Sequence, residues 1–202
     1  MAVTKKFSAQ AIQQAYEAGL RDFGENYIQE FAEKQPELRG LTSARFHLIG
    51  HLQSNKVRMA CDLFSVIETI DSAKLMDRLN TVAAERNARL EVLLEIKLSA
   101  EQSKTGARPE DIGALLGAAA KCSQLELSGL MTMPPWSENP EHSRPYFQQL
   151  AQLARQHRLP KLSMGMSGDL EVAIEEGATI IRVGTALFGP RPKPQPRVTS
   201  AS

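Results

Sequence analysis

Leu90-Glu91-Val92-Leu93-Leu94-Glu95-Ile96 decides the fold, because a short and nearly continuous apolar run with β-branched members reads as a strand buried on both faces. Working outward, the same pattern recurs downstream in Leu125 to Met131, Lys161 to Met164 and Thr179 to Val183. Upstream it appears in Phe64-Ser65-Val66-Ile67, Arg45-Phe46-His47-Leu48-Ile49 and Met1-Ala2-Val3-Thr4. Leu20-Arg21-Asp22-Phe23-Gly24, short and polar in its middle, is the eighth strand. Between the strands, apolar residues fall at helical spacing: Ile12, Ala15 and Tyr16; Leu75, Leu79 and Val82; Ile112, Leu115, Leu116 and Ala119; Phe147, Leu150, Leu153 and Ala154. Ser8 suits an N-cap with Phe7 and Ile12 as a staple, Gly19 a helix stop, and Pro109 an opening helical turn. Strand followed by helix, repeated, implies a parallel sheet. Eight such strands close a TIM-type (β/α)8 barrel, whose ligands bind on the loops that follow the strands. An open doubly wound sheet is the alternative. It is disfavoured because neither GxGxxG after the first strand nor GxxxxGK is present.

Bulk composition narrows the function. At 202 residues the chain suits one domain, and 42% hydrophobic content is enough to bury its core. The 24 basic and 23 acidic residues leave a formal charge of +1, so no field draws nucleic acid. Cys61 and Cys122 stand far apart with no CxxC, which indicates neither a disulfide framework nor a zinc site. A reducing cytoplasm is the expected compartment. No segment approaches the roughly 20 apolar residues of a membrane span, and the N-terminal stretch shows no apolar run of signal-peptide length, so neither export nor membrane insertion is expected. The expected domain is residues 1–189, followed at 190–202 by a proline-rich tail too poor in apolar residues to fold.

Lys5 stands at the expected C-terminal end of the first strand, where partial desolvation lowers an amine's pKa toward nucleophilic competence. If the strand continues, Lys5 shares the face of Val3 and Lys6 points elsewhere. Taken alone, Lys5 and Lys6 are more often two solvated lysines. Near the other end, Ser167-Gly168-Asp169 follows a strand and opens a helix, presenting free amides to a phosphate. In Arg182-Val183-Gly184-Thr185, Gly184 permits close backbone approach and Thr185 adds a hydroxyl to the same anion. Barrels often place a phosphate site after strands seven and eight, although ordinary turn and cap chemistry explains these residues equally well. His47 reads as a residue of the site wall or of the layer just behind it. Met131, Met133, Met164 and Met166 read as packing, and Trp136 as a loop anchor.

Ala2-Val3-Thr4-Lys5, Phe23-Gly24-Glu25-Asn26-Tyr27-Ile28-Gln29-Glu30, His47 to Lys56, Leu162-Ser163-Met164-Gly165-Met166-Ser167 and Arg182 to Gly189 resemble, in order, the signatures of the pyridoxal phosphate (PLP) homeostasis protein family. Glu101-Gln102-Ser103-Lys104-Thr105-Gly106 falls where that family has a similar stretch. The family in turn resembles the barrel domain of alanine racemase. The resemblance implies PLP as cofactor, Lys5 as its Schiff-base lysine, Ser167, Gly184 and Thr185 as phosphate ligands, and Asn26 as a flanking contact. It also implies that Arg182 faces the pyridine nitrogen, where a permanent cation disfavours protonation and weakens the ring as an electron sink. A non-catalytic role in vitamin B6 balance follows, with PLP-dependent apoenzymes as recipients.

Two other functions compete. A racemase-like PLP enzyme needs a second acid/base, and of Tyr16, Tyr27 and Tyr146 only Tyr27 adjoins a candidate site residue. A barrel binding another phosphate ligand would use Ser167, Gly184 and Thr185 without Lys5. The family also carries a helix and linker ahead of the lysine strand, whereas Met1 here immediately precedes Ala2. The barrel is therefore expected to lack one covering helix. A monomer is the default, with self-association favoured by an exposed seam.

Overall fold

The computed structural model describes residues 1–99 and 105–190. Residues 101–104 of the Glu101 to Gly106 stretch, and the expected tail beyond Pro190, lie outside them. Eight parallel strands run in sequence order: β1 (Ala2–Val3), β2 (Asp22–Glu25), β3 (Arg45–Leu48), β4 (Val66–Ile70), β5 (Leu90–Glu95), β6 (Leu125–Met131), β7 (Lys161–Met166) and β8 (Ile180–Arg182). A parallel bridge between Ala2 and Val183 closes the ring. Three hydrogen bonds hold that seam: the Met1 amino group donates to the Ile181 carbonyl at 3.0 Å, Val183 N to Met1 O at 3.0 Å, and Val3 N to Val183 O at 2.8 Å. The closed barrel, rather than the open sheet, is the observed fold.

Helices α1 (Ala9–Glu17), α2 (Ile28–Lys34), α3 (Val57–Leu63), α4 (Ala73–Glu85), α5 (Ile112–Ala119), α6 (Arg144–His157), α7 (Leu170–Glu175) and α8 (Thr185–Phe188) follow the successive strands. Ser8 caps α1 by accepting from Ala11 N, and Gly19 ends it at a φ of +100°. The α1, α4 and α6 stripes pack inward through residues such as Ile12, Leu79 and Phe147, all fully buried. At the opening of α1, Phe7 meets the Phe188 ring at 4.9 Å.

Several boundaries differ from those expected. β1 stops at Val3, so Lys5 lies in the turn that follows rather than on the strand. β4 begins at Val66 and continues through Glu68 and Thr69, both fully buried. α2 and α3, at seven residues each, are too short to declare a helical stripe.

Candidate functional site

Every strand's C-terminal end opens toward the same rim, and a cavity of about 340 Å³ lies there. Lys5, Asn26, Ser167, Arg182, Gly184 and Thr185 all line it, with Val3, Ile49 and Met133 among its apolar wall. The seam between β1 and β8 brings Lys5 beside Gly184 and Thr185 although the chain between them spans the whole barrel.

The turn bearing Lys5 is clamped on both sides. Thr4 is fully buried; its Oγ1 donates to Glu25 Oε1 at 2.8 Å and its carbonyl accepts from Lys34 Nζ at 3.1 Å. Lys6 takes a φ of +66°, and its backbone N donates to Glu30 Oε1 at 2.5 Å. Lys34 links the two carboxylates, 3.0 Å from Glu25 and 2.6 Å from Glu30. Burial pushes the Glu25 carboxyl up, against the pull of Lys34 and Thr4. The Gly24 to Glu30 segment thus holds the Lys5 backbone in place from β2 and α2.

Asn26 immediately follows β2, and its Oδ1 is buried without a hydrogen-bond partner. A buried amide oxygen left unsatisfied in the wall of a cavity is an acceptor that a donor entering the cavity can use. Gly50 allows this packing, since a Cβ there would stand 2.1 Å from the Asn26 carbonyl oxygen. At Gly184 an added Cβ would meet Val3 at ordinary distances of 3.4 to 3.8 Å. The fold itself does not demand glycine at that position.

Arg182 ends β8, is 4% exposed, and donates to Ser163 Oγ and to the Thr132 carbonyl, each at 2.8 Å. Burial lowers its pKa, opposed by Glu68, Asp169 and Glu95. The turn after β7 is braced by Asp169, whose Oδ1 accepts from Met166 N at 2.7 Å and whose Oδ2 accepts from Ser143 Oγ at 2.8 Å. Ala186 N donates to Ser167 Oγ at 3.5 Å, joining the β7 and β8 turns.

Sequence reasoning missed part of the wall. Met131 and Met164 are core residues as expected, but Met133 and Met166 are 38% and 36% exposed and line the cavity. Trp136 anchors nothing: it is 81% exposed at the cavity edge. The Pro134-Pro135 pair ahead of it was the available signal, because it keeps the segment extended beyond the strand end. His47 lies in the interior between Asp22 and Glu68, and His51, 4.0 Å from Asp71, is not among the residues that line the cavity. Among the described residues no His, Cys, Asp and Glu cluster could hold a metal. Nor is any helix there long and apolar enough to cross a membrane. Cys61 and Cys122 are buried free thiols, that of Cys61 pushed up to about 11 by burial.

Fold and site define a β/α barrel of the kind that forms the N-terminal domain of alanine racemase. The family model described as "Alanine racemase, N-terminal domain" matches residues 1–192. The pyridoxal phosphate homeostasis protein of Aquifex aeolicus is 41% identical over 197 residues, spanning 95% of this chain and 86% of that protein. Its Pseudomonas aeruginosa counterpart is 43% identical over 193 residues, 95% and 84% of the two chains. PipY of Synechococcus elongatus PCC7942, solved with PLP bound, superposes with a TM-score of 0.86 at 41% identity, covering 94% of this chain and 91% of PipY. Alanine racemase of Clostridium difficile 630 matches at a TM-score of 0.78 and 12% identity, over 95% of this chain and 52% of that enzyme, a likeness of fold alone. The chain belongs to the pyridoxal phosphate homeostasis protein family.

Proposed function

We propose that this protein binds pyridoxal 5′-phosphate covalently through Lys5 and takes part in intracellular vitamin B6 homeostasis without robust catalysis. One observation carries the reading: an amine, a buried guanidinium, an unpartnered amide oxygen and two hydroxyls, drawn from opposite ends of the sequence, converge on one cavity. Its volume falls within the range that ligand pockets of this size class occupy. The names of the relatives, and PLP in the solved structure of PipY, support the same ligand.

When bound, PLP supplies an aldehyde carbon that an amine can capture and a pyridine ring that accepts electrons best when its nitrogen is protonated. Lys5 is the amine at this rim, its turn fixed by Glu25, Glu30 and Lys34. Ser167, after β7, and Thr185, after β8, provide hydroxyls for the phosphate, with Gly184 directly ahead of Thr185. Asn26 offers its Oδ1 to a donor on the ligand. Arg182, held by Ser163 and Thr132, is a cation that would keep a proton off the ring nitrogen and so restrain carbanion chemistry. A racemase would require a second acid/base over the ligand, and among the described residues no tyrosine lines the cavity. PLP-dependent apoenzymes are the recipients this role requires.

The test is borohydride reduction of the PLP-loaded protein followed by peptide mass spectrometry. The expected product is a pyridoxyl group on Lys5, in a protein that absorbed visible light before reduction. A colourless protein with Lys5 unmodified overturns the reading in favour of a phosphate ligand without an aldehyde.

A further inference from the structure

Beneath the cavity, polar side chains cross the barrel interior where branched apolar residues commonly fill it. His47 Nε2 lies 2.9 Å from Asp22 Oδ1, and His47 Nδ1 lies 2.7 Å from Glu68 Oε1. Ser163 Oγ donates to Glu68 Oε2 at 2.5 Å and accepts from Arg182 Nη1 at 2.8 Å. Glu68 on β4 and Ser163 on β7 belong to strands that are not neighbours, so their contact spans the interior. The chain therefore runs unbroken from Asp22, at the N-terminal end of β2, to Arg182, at the C-terminal end of β8 beside the cavity.

The hydrogen-bond donors determine the charge. A neutral imidazole donates through one nitrogen only, and an ionised carboxylate donates nothing. With a carboxylate at each nitrogen, the bonds at His47 are all satisfied when the ring is an imidazolium. Burial alone would push its pKa down, and the two carboxylates more than offset this, raising it. The His47 ring thus lies between the Asp22 and Glu68 carboxyl groups, and the Arg182 guanidinium lies beyond Ser163. Other groups face the same chain. The Met1 amino group interacts with Asp22, Glu68 and Arg182; Arg45 stands 3.8 Å from Asp22; Glu95 and Asp169 act on Arg182.

We propose that His47 and Glu68 are positioning residues for the ligand cavity: acting through Ser163, they orient the Arg182 guanidinium and balance its charge. This rests on the PLP reading above and extends it to residues that never touch the ligand. Loss of the His47 cation leaves Glu68 uncompensated in the interior, and Glu68 then competes for the Arg182 guanidinium across Ser163.

The experiment compares PLP dissociation constants for the wild type, His47→Gln, Ser163→Ala and the double variant. His47→Gln is expected to weaken binding about tenfold in the wild-type background but less than about twofold once Ser163→Ala has cut the chain, since coupling between residues out of contact requires a shared network. Equal effects in both backgrounds, or none in either, overturn the proposal. A second measurement needs no variant: nitrogen NMR of the PLP-free protein should find both ring nitrogens of His47 protonated at neutral pH. An unprotonated ring nitrogen overturns it. Borohydride labelling of Lys5 decides the PLP reading independently of either result.

Discussion

Lys34 reaches two carboxylates and a backbone carbonyl from one ammonium group. Its side chain is 11% exposed, and that of Glu25 is fully buried. Replacing Lys34 by Met would strand the Glu25 carboxylate with Thr4 as its remaining donor. The expected cost is about 3 to 5 kcal/mol, because removing one member of a buried pair leaves an uncompensated charge. Urea unfolding of Lys34→Met measures it, and adding Glu25→Gln should recover part of the loss. A double variant no more stable than the single would show that the ion pair is not the cause. Residues of this kind are hard to find in a sequence. Lys5, Ser167, Gly184 and Thr185 stood out as candidates because each was expected at or just past the end of a strand, where barrels bind ligands, and Arg182 through the family resemblance. Lys34 and Glu68 were not, since a charged residue within a pattern reads as solvent-facing until its partners are known.

β7 shows how an element aims its loop. Ser163 pairs with Ile180 and Met166 with Arg182, so one strand fits three steps against the other's two. The extra residue is absorbed around Gly165, at a φ of +89°, where a Cβ would meet the Ala173 Cβ of α7 at 2.4 Å. The irregularity turns Ser167 toward the cavity and lets α7 lie close against β7. Gly165→Ala should therefore destabilise the protein by about 1 to 3 kcal/mol through overpacking and backbone strain. It should also weaken PLP binding, because the Ser167 turn moves with α7. Unfolding midpoints and PLP titration check the two effects, and a variant of unchanged stability would show that α7 yields freely. Regular strands such as β5 and β6 were legible from their apolar runs, but this bulge was not. Gly165, immediately past the Lys161 to Met164 run read as the strand, was its local sign. β4 was placed too early for a related reason: Glu68 breaks the apolar run, and only its bonds to His47 and Ser163 make it compatible with the interior.

Across the molecule, the two ends of the barrel divide the work, with ligand groups at the strand C-termini and a charged cluster at the other end. Eight strands alternating with helices made the closed architecture readable, because closure is the arrangement that covers every strand edge. The far-end cluster was invisible in sequence, since its members come from β3, β5, β6 and β7. Glu91 accepts from Arg45 at 2.5 Å, Ser128 at 2.6 Å and Lys161 at 2.5 Å. Burial opposes its charge, yet hydrogen bonds from Lys161, Ser128 and Arg45 pull its pKa from 4.5 down to about 2. A carboxylate depressed on folding stabilises the protein above its unfolded pKa and loses that contribution as pH falls through the folded value. The shift corresponds to roughly 3 kcal/mol, since each unit is worth about 1.4 kcal/mol. Glu91→Gln should accordingly unfold at lower urea than the wild type near neutral pH, by up to that amount. The gap should narrow as pH falls from 4.5 toward 2, the window in which Glu91 takes up its proton in the unfolded chain before the folded one. Denaturant midpoints of both proteins across this range settle the matter. A gap that stays constant would mean that Glu91 acts through packing, and that the charge cluster does not secure the closed end of the barrel.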